Sequence, residues 1–331
     1  MRVLSRLRIL VPAVAVALSA LAVPASAQAD SASTGVASAS TDVDVSCAAF
    51  TYHPDADWYF PSGAAKGLVW LQHGFVRSGA NMADLANHYA AAGYVVFVPT
   101  LPSADIFGCT LQNIGNNKPF LNNVATWFSG SNGSSGALAA SYQRAAAKVG
   151  RTGTSLPTSV LFSGHSAGGE AVEYVAERLR VTSPAAFGRL KGLVLLDPVT
   201  SVIGNNSADS LAGLATTSLP VRVIASPPYL CNSSASGTTV LRNAYPAAPF
   251  LGVELTTGSH VDSEGASSDG AASLACGTSQ AKNVTALQTL AVGWASDALS
   301  GTTTATYYPG GAYYQSLITA GTTETLSGSG S

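Results

Sequence analysis

Charge is what this 331-residue sequence has least of, since Asp, Glu, Lys and Arg together make up 10% of it, against about 25% in an ordinary soluble protein. The formal net charge is −2 and no run of Lys and Arg stands out, which argues against nucleic acid as a partner. Ser, Thr, Asn and Gly must cover much of the surface instead. Long apolar runs are scarce as well. The one at the N-terminus, Ile9 to Val23, falls short of the ~20 residues a spanning helix needs and contains Pro12. Arg2, Arg6 and Arg8 precede it and Ala25-Ser26-Ala27 follows it, so residues 1–27 read as a secretory signal cleaved near Ala27. Cleavage there removes three arginines and leaves a more acidic chain. With no other run able to span a bilayer, the expected product is exported and has no stable membrane insertion.

Cysteine is also sparse. Cys47, Cys109, Cys231 and Cys276 are an even number in a chain read as exported, which implies two disulfides with three possible connectivities. Sequence does not choose among them. The working pairing is Cys231 with Cys276 and Cys47 with Cys109, because the first would brace two loops at the end of the sheet where the active site is expected. The spacings match no zinc pattern, so neither metal nor cofactor is expected.

What the sequence does hold is a strand, a sharp turn and a helix around Gly164-His165-Ser166-Ala167-Gly168. A β-branched and aromatic run from Ser159 leads into the turn, and a helical pattern from Glu170 to Arg180 leaves it. Small residues at 164 and 168 suit a nucleophile held on strained backbone close to its neighbours. Ser166 would stand above the sheet. The Ala167 N–H, at the start of the helix, would face negative charge developing on a carbonyl oxygen.

The rest of the chain arranges itself around that turn. Residues 28–45 lack pattern and read as a flexible lead-in, and residues 46–331 as one catalytic domain. The buried run Gly67 to Gln72 stops at His73-Gly74-Phe75 before a helix from about Asn81, which makes the Phe75 N–H the second candidate oxyanion donor. Further strands are expected at 94–98, 192–196, 221–225 and 250–256, and helices at 119–128, 137–149 and 284–299. Asp197 closes the strand after the serine strand, where a carboxylate can orient a histidine. The next strand ends in Ser226-Pro227-Pro228 and offers no rival acid. His260 follows the last of these strands, and the other histidines fall before the sheet, in turns already assigned, or within a helix. Asp262 and Glu264, just behind it, are expected to be solvated loop acids. The loops 200–219 and 226–248 are the expected pocket walls.

The order Ser166, Asp197, His260, with the turn at Phe75, resembles the α/β-hydrolase superfamily over about Cys47 to Leu299. Gly164-His165-Ser166-Ala167-Gly168-Gly169, Leu196-Asp197-Pro198-Val199 and Gly258-Ser259-His260-Val261-Asp262 look like segments of chlorophyllase-like enzymes, and the chain is more weakly similar to secreted bacterial lipases and polyester hydrolases. Ala167 stands where plant chlorophyllases commonly carry arginine. In cutinase-like enzymes the acid follows the next strand. The resemblance implies an α/β fold with a mostly parallel central sheet flanked by helices and no large lid domain. It implies a serine esterase with Ser166 as nucleophile, His260 as base and then acid, and Asp197 as its orienter. The expected partner is a small-molecule, lipid or polymer ester, and the expected state is a monomer. A polyester hydrolase, an acyltransferase or an amidase would use the same residues, and a non-catalytic exported binding protein is the alternative from another class.

Overall fold

A strand covered on both faces can bury every side chain only if nearly all are apolar, and the central strands here are of that kind. The computed structural model describes residues 35–105, 107–130 and 136–331, so the expected signal segment lies outside the described residues. The chain enters as β1 (Ala37–Asp42), makes a small hairpin of β2 (Val45–Cys47) and β3 (Phe50–Tyr52), and rejoins the main sheet as β4 (Asp55–Phe60). The core strands follow as β5 (Leu68–Gln72), β6 (Val95–Pro99), β7 (Val160–His165), β8 (Leu190–Leu196), β9 (Val221–Ala225) and β10 (Gly252–Leu255). β11 (Thr323–Leu326) comes last.

The main sheet runs β1-β4-β6-β5-β7-β8-β9-β10-β11. From β6 to β10 neighbours are parallel, while β1, β4 and β11 are antiparallel to the strands they join. This is the α/β-hydrolase fold. Side chains alternate between two cores: Leu68, Trp70 and Phe162 face one, and Val69, Leu71 and Leu161 the other. Against the first pack α2 (Lys118–Ser129), α3 (Ala137–Lys148), α4 (Ala167–Thr182) and α6 (Asn206–Leu214); against the second pack α1 (Ala83–Ala91), α9 (Ala281–Ser300) and α10 (Ala312–Thr319). The short α5 (Pro184–Phe187), together with α7 (Ser236–Ala244) and α8 (Gly270–Cys276), completes the helices used below. Among the described residues no helix is long and apolar enough to cross a membrane.

Order begins earlier than the lead-in reading of residues 28–45 has it. Ala37–Asp42 forms the edge strand β1, held by antiparallel pairing to β4 over its whole length. Its small Ala, Ser and Thr side chains carry little hydrophobic signal, and the backbone ladder does the holding. Cys47 is bonded to Cys109 and Cys231 to Cys276, with Cα atoms 5.9 and 5.5 Å apart.

Candidate active site

The parallel strands β5, β7, β8 and β10 release the chain at one edge of the sheet, and Phe75, Ser166, Asp197 and His260 all lie just beyond those ends. Ser166 sits between β7 and α4 with φ +56°, a conformation a non-glycine residue keeps only when its surroundings enforce it. Its N–H donates to the Leu196 carbonyl at 3.0 Å, and its own carbonyl accepts from Gly169 at 2.8 Å and Val199 at 3.1 Å. The flanking glycines are needed for space: a Cβ on Gly164 would run into the Gly168 carbonyl, and one on Gly168 would lie 2.5 Å from the His73 carbonyl oxygen.

Three side chains from distant parts of the sequence form one hydrogen-bonded line. The Ser166 hydroxyl lies 2.8 Å from Nε2 of His260, and Nδ1 of His260 lies 2.6 Å from Oδ2 of Asp197. All three residues are less than a tenth exposed. Oδ1 of Asp197 accepts from the Ser226 N–H at 3.0 Å and the Asn232 amide at 3.3 Å. With Asp197 as acceptor, Nδ1 of His260 carries the proton and Nε2 presents its lone pair to Ser166.

The histidine is also held by its backbone. Its N–H donates to the Tyr229 hydroxyl, and its carbonyl accepts from Nε2 of His165 at 2.7 Å. That bond makes His165 an Nε2–H tautomer. Burial drives the His165 pKa well below the ordinary histidine value, assisted by the nearby His260, so the ring stays neutral. His73 is neutral for the same reason: burial lowers its pKa to about 4, while Nδ1 contacts the Gly74 carbonyl at 2.7 Å.

The turn after β5 closes over the serine. A Cβ on Gly74 would stand 2.8 Å from that of Ser166, so only glycine allows this approach. The backbone N–H groups of Phe75 and Ala167 meet no acceptor among the described residues. A cavity of about 250 Å³ opens beside Ser166 and His260, walled by residues 74–77 on one side and by Val261, Glu264 and the α8 residues Ala271, Ala272, Ala275 and Cys276 on the other.

Two expectations are corrected here. Neither 200–219 nor 226–248 lines this cavity. The first loop is drawn onto α4, where both the N–H and the hydroxyl of Ser201 bond to Glu170 and the Ser207 hydroxyl bonds to Glu173 at 2.6 Å. The second lies behind the triad, where the Ser226 N–H and the Asn232 amide reach Asp197 and the Tyr229 hydroxyl reaches the His260 N–H, and it meets the wall through Cys231, whose disulfide partner Cys276 is part of it. Asp262 and Glu264, expected in solvent, are buried. Asp262 accepts from the Ser259 N–H at 2.8 Å and shapes the turn that carries His260; burial raises its pKa. Glu264 takes both arms of the Arg77 guanidinium at 2.6 Å.

Sequence reasoning does not single out Tyr229, Asn232, Arg77 or His165. Tyr229 and Asn232 flank Cys231, whose bond to Cys276, 45 residues on, ties this loop to the cavity wall.

No protein-family model matches the chain, and no curated protein matches it. Among solved structures it is similar to a dienelactone hydrolase from Anabaena variabilis ATCC 29413, at 16% identity over 57% of this chain and 74% of that one, with a TM-score of 0.37. It is also similar to a "putative thioesterase" from Silicibacter sp. TM1040, at 15% identity over 70% and 81% of the two chains, with a TM-score of 0.45.

Proposed function

We propose that the chain is an exported serine hydrolase that cleaves carboxylic esters through an acyl-enzyme on Ser166. The observation that carries the reading is the line Ser166–His260–Asp197, with both bonds at hydrogen-bonding distance and two backbone N–H groups left without acceptors next to it. His260 takes the Ser166 proton as the hydroxyl attacks the ester carbonyl, and Asp197 stabilises the imidazolium that forms. The Phe75 and Ala167 N–H groups hold the oxyanion, each contributing about 3 kcal/mol to the transition state. His260 then protonates the leaving alcohol, and water repeats the sequence to release the acid. None of these steps calls for a metal or cofactor. The two disulfides are compatible with export.

A second reading, a polymeric or aggregated ester as substrate, is favoured by the cavity rim. Phe75 and Val76, which line the cavity, are 39% and 70% exposed. Apolar side chains left in water around a site mouth suit an uncharged ester-bearing surface.

Hydrolysis of p-nitrophenyl esters from acetate to palmitate, with Ser166→Ala alongside, tests the proposal. Turnover that disappears in the variant supports it, and the chain-length optimum separates a short-acyl esterase from a lipase or polyester hydrolase. Turnover no greater than that of the variant on every ester overturns it.

A further inference from the structure

The turn that carries the Phe75 N–H has little to hold it in place from within. Val76, the next residue, has φ +57°, a left-handed conformation that a β-branched side chain resists. Inside the turn the Arg77 N–H reaches the Gly74 carbonyl at a long 3.3 Å. The other restraints come from elsewhere: Val76 N–H donates to the Ser103 hydroxyl at 2.8 Å, and the Arg77 side chain crosses the cavity wall. Its Nε and Nη2 each lie 2.6 Å from one oxygen of Glu264, and Nη1 lies 2.8 Å from Oδ2 of Asp269. Glu264 has no exposed side-chain surface and no other side-chain hydrogen-bond partner among the described residues. It lies four residues after His260, within the 3-10 turn Asp262–Ser267, which Asp84 ties to α1 and α9 by accepting from Ala266 N–H at 2.8 Å and from the Gln288 amide at 2.9 Å.

We infer that Arg77 is a positioning residue: through its two-pronged bond to Glu264 it sets the oxyanion turn at a fixed distance from the loop that bears His260. This deepens the esterase reading and rests on it. A planar fork fixes both distance and angle, whereas a lysine ammonium in the same place is a point charge that fixes neither. Arg77→Lys therefore keeps a positive charge beside the buried carboxylate, so the fold is retained, while the turn is released. Both tetrahedral intermediates use the same N–H groups, so acylation and deacylation slow together.

The test compares wild type, Arg77→Lys and Glu264→Gln on a p-nitrophenyl ester, with rates expressed per Ser166 titrated by a p-nitrophenyl alkylphosphonate. The expected result for both variants is a fall in kcat of about 10- to 100-fold, with KM changed by no more than a few fold and phosphonylation slowed in parallel. A merely structural role would lower Tm and the titratable fraction and leave the rate per titrated serine unchanged, and that result overturns the inference. Wild-type protein that neither reacts with the phosphonate nor hydrolyses any ester overturns the esterase reading itself, and the inference with it.

Discussion

The Tyr229 hydroxyl joins His260 to the Cys231–Cys276 bridge: it accepts from the His260 N–H and donates to the Cys276 carbonyl at 2.7 Å. It therefore grips the histidine by its main chain and leaves the ring free to face Ser166. Burial raises the phenol pKa, so this grip persists into alkaline solution.

Tyr229→Phe removes one oxygen and leaves two backbone groups short of a partner. Stability should drop by about 1–3 kcal/mol, and kcat by about 10- to 100-fold, because a small displacement of the proposed base is enough to spoil proton transfer. Denaturant unfolding and ester turnover, measured on the same preparation, check the two effects. Turnover at the wild-type level would separate Tyr229 from the chemistry.

Asn232 reaches Asp197 at 3.3 Å, and its amide also donates to the Pro227 carbonyl at 2.9 Å while its oxygen accepts from the Tyr229 and Ala235 N–H groups. Asn232→Asp replaces those donors with a second carboxylate beside the first. Positive charge on the neighbouring imidazole is then favoured, so the acidic limb of the kcat/KM profile should move to higher pH as the maximum falls. A limb that stays in place would show that the amide acts on the loop alone.

His73 gives stability an acid-side slope. Its pKa is depressed from 6.5 to about 4 in the fold, so the unfolded chain binds the proton first. The contribution is full above pH 6.5 and is lost as pH falls towards 4, by about 3 kcal/mol in all. His165 acts in the same direction. Chemical unfolding between pH 7 and pH 4 should show a shallower loss in His73→Asn than in wild type, and equal slopes would contradict the assignment.

Glu173 works in the opposite sense. Burial raises its pKa well above 4.5, with Glu170 close by adding to the effect, so its contribution is full below pH 4.5 and is lost as pH rises through the folded value. Glu173→Gln, which carries no proton to lose, should be more stable than wild type at pH 8 and no more stable at pH 4. Unfolding midpoints at the two pH values decide this.

The strands β5 to β10 can be read in the sequence because each is a short buried run that ends in a turn. β1 and β11 cannot: Ala-Ser-Ala-Ser-Thr-Asp and Thr-Glu-Thr-Leu are held at the edges by backbone pairing, which side-chain pattern does not record. Ser166 stands out because its turn is local. Asp197 and His260 follow from where strands end, and the structure brings both to Ser166. The supporting residues leave no such trace. Glu264 reads as a solvated acid until an arginine 187 positions earlier is known to lie against it, and Asn232 is a loop residue until Asp197, 35 positions away, is seen to accept from it. Such pairings belong to the tertiary fold, so neither partner carries a sign of the other.

The Cys231–Cys276 bridge closes a covalent ring that contains α7, β10 and His260 but neither Ser166 nor Asp197. A protease that cut at the exposed Leu274 would therefore detach nothing: the two fragments stay linked through sulfur, and His260 remains joined to the body through the uncut chain that precedes it. Only a nick followed by reduction would leave the two fragments without a covalent link. In a protease-rich surrounding, tolerance of clipping would rest on that bond.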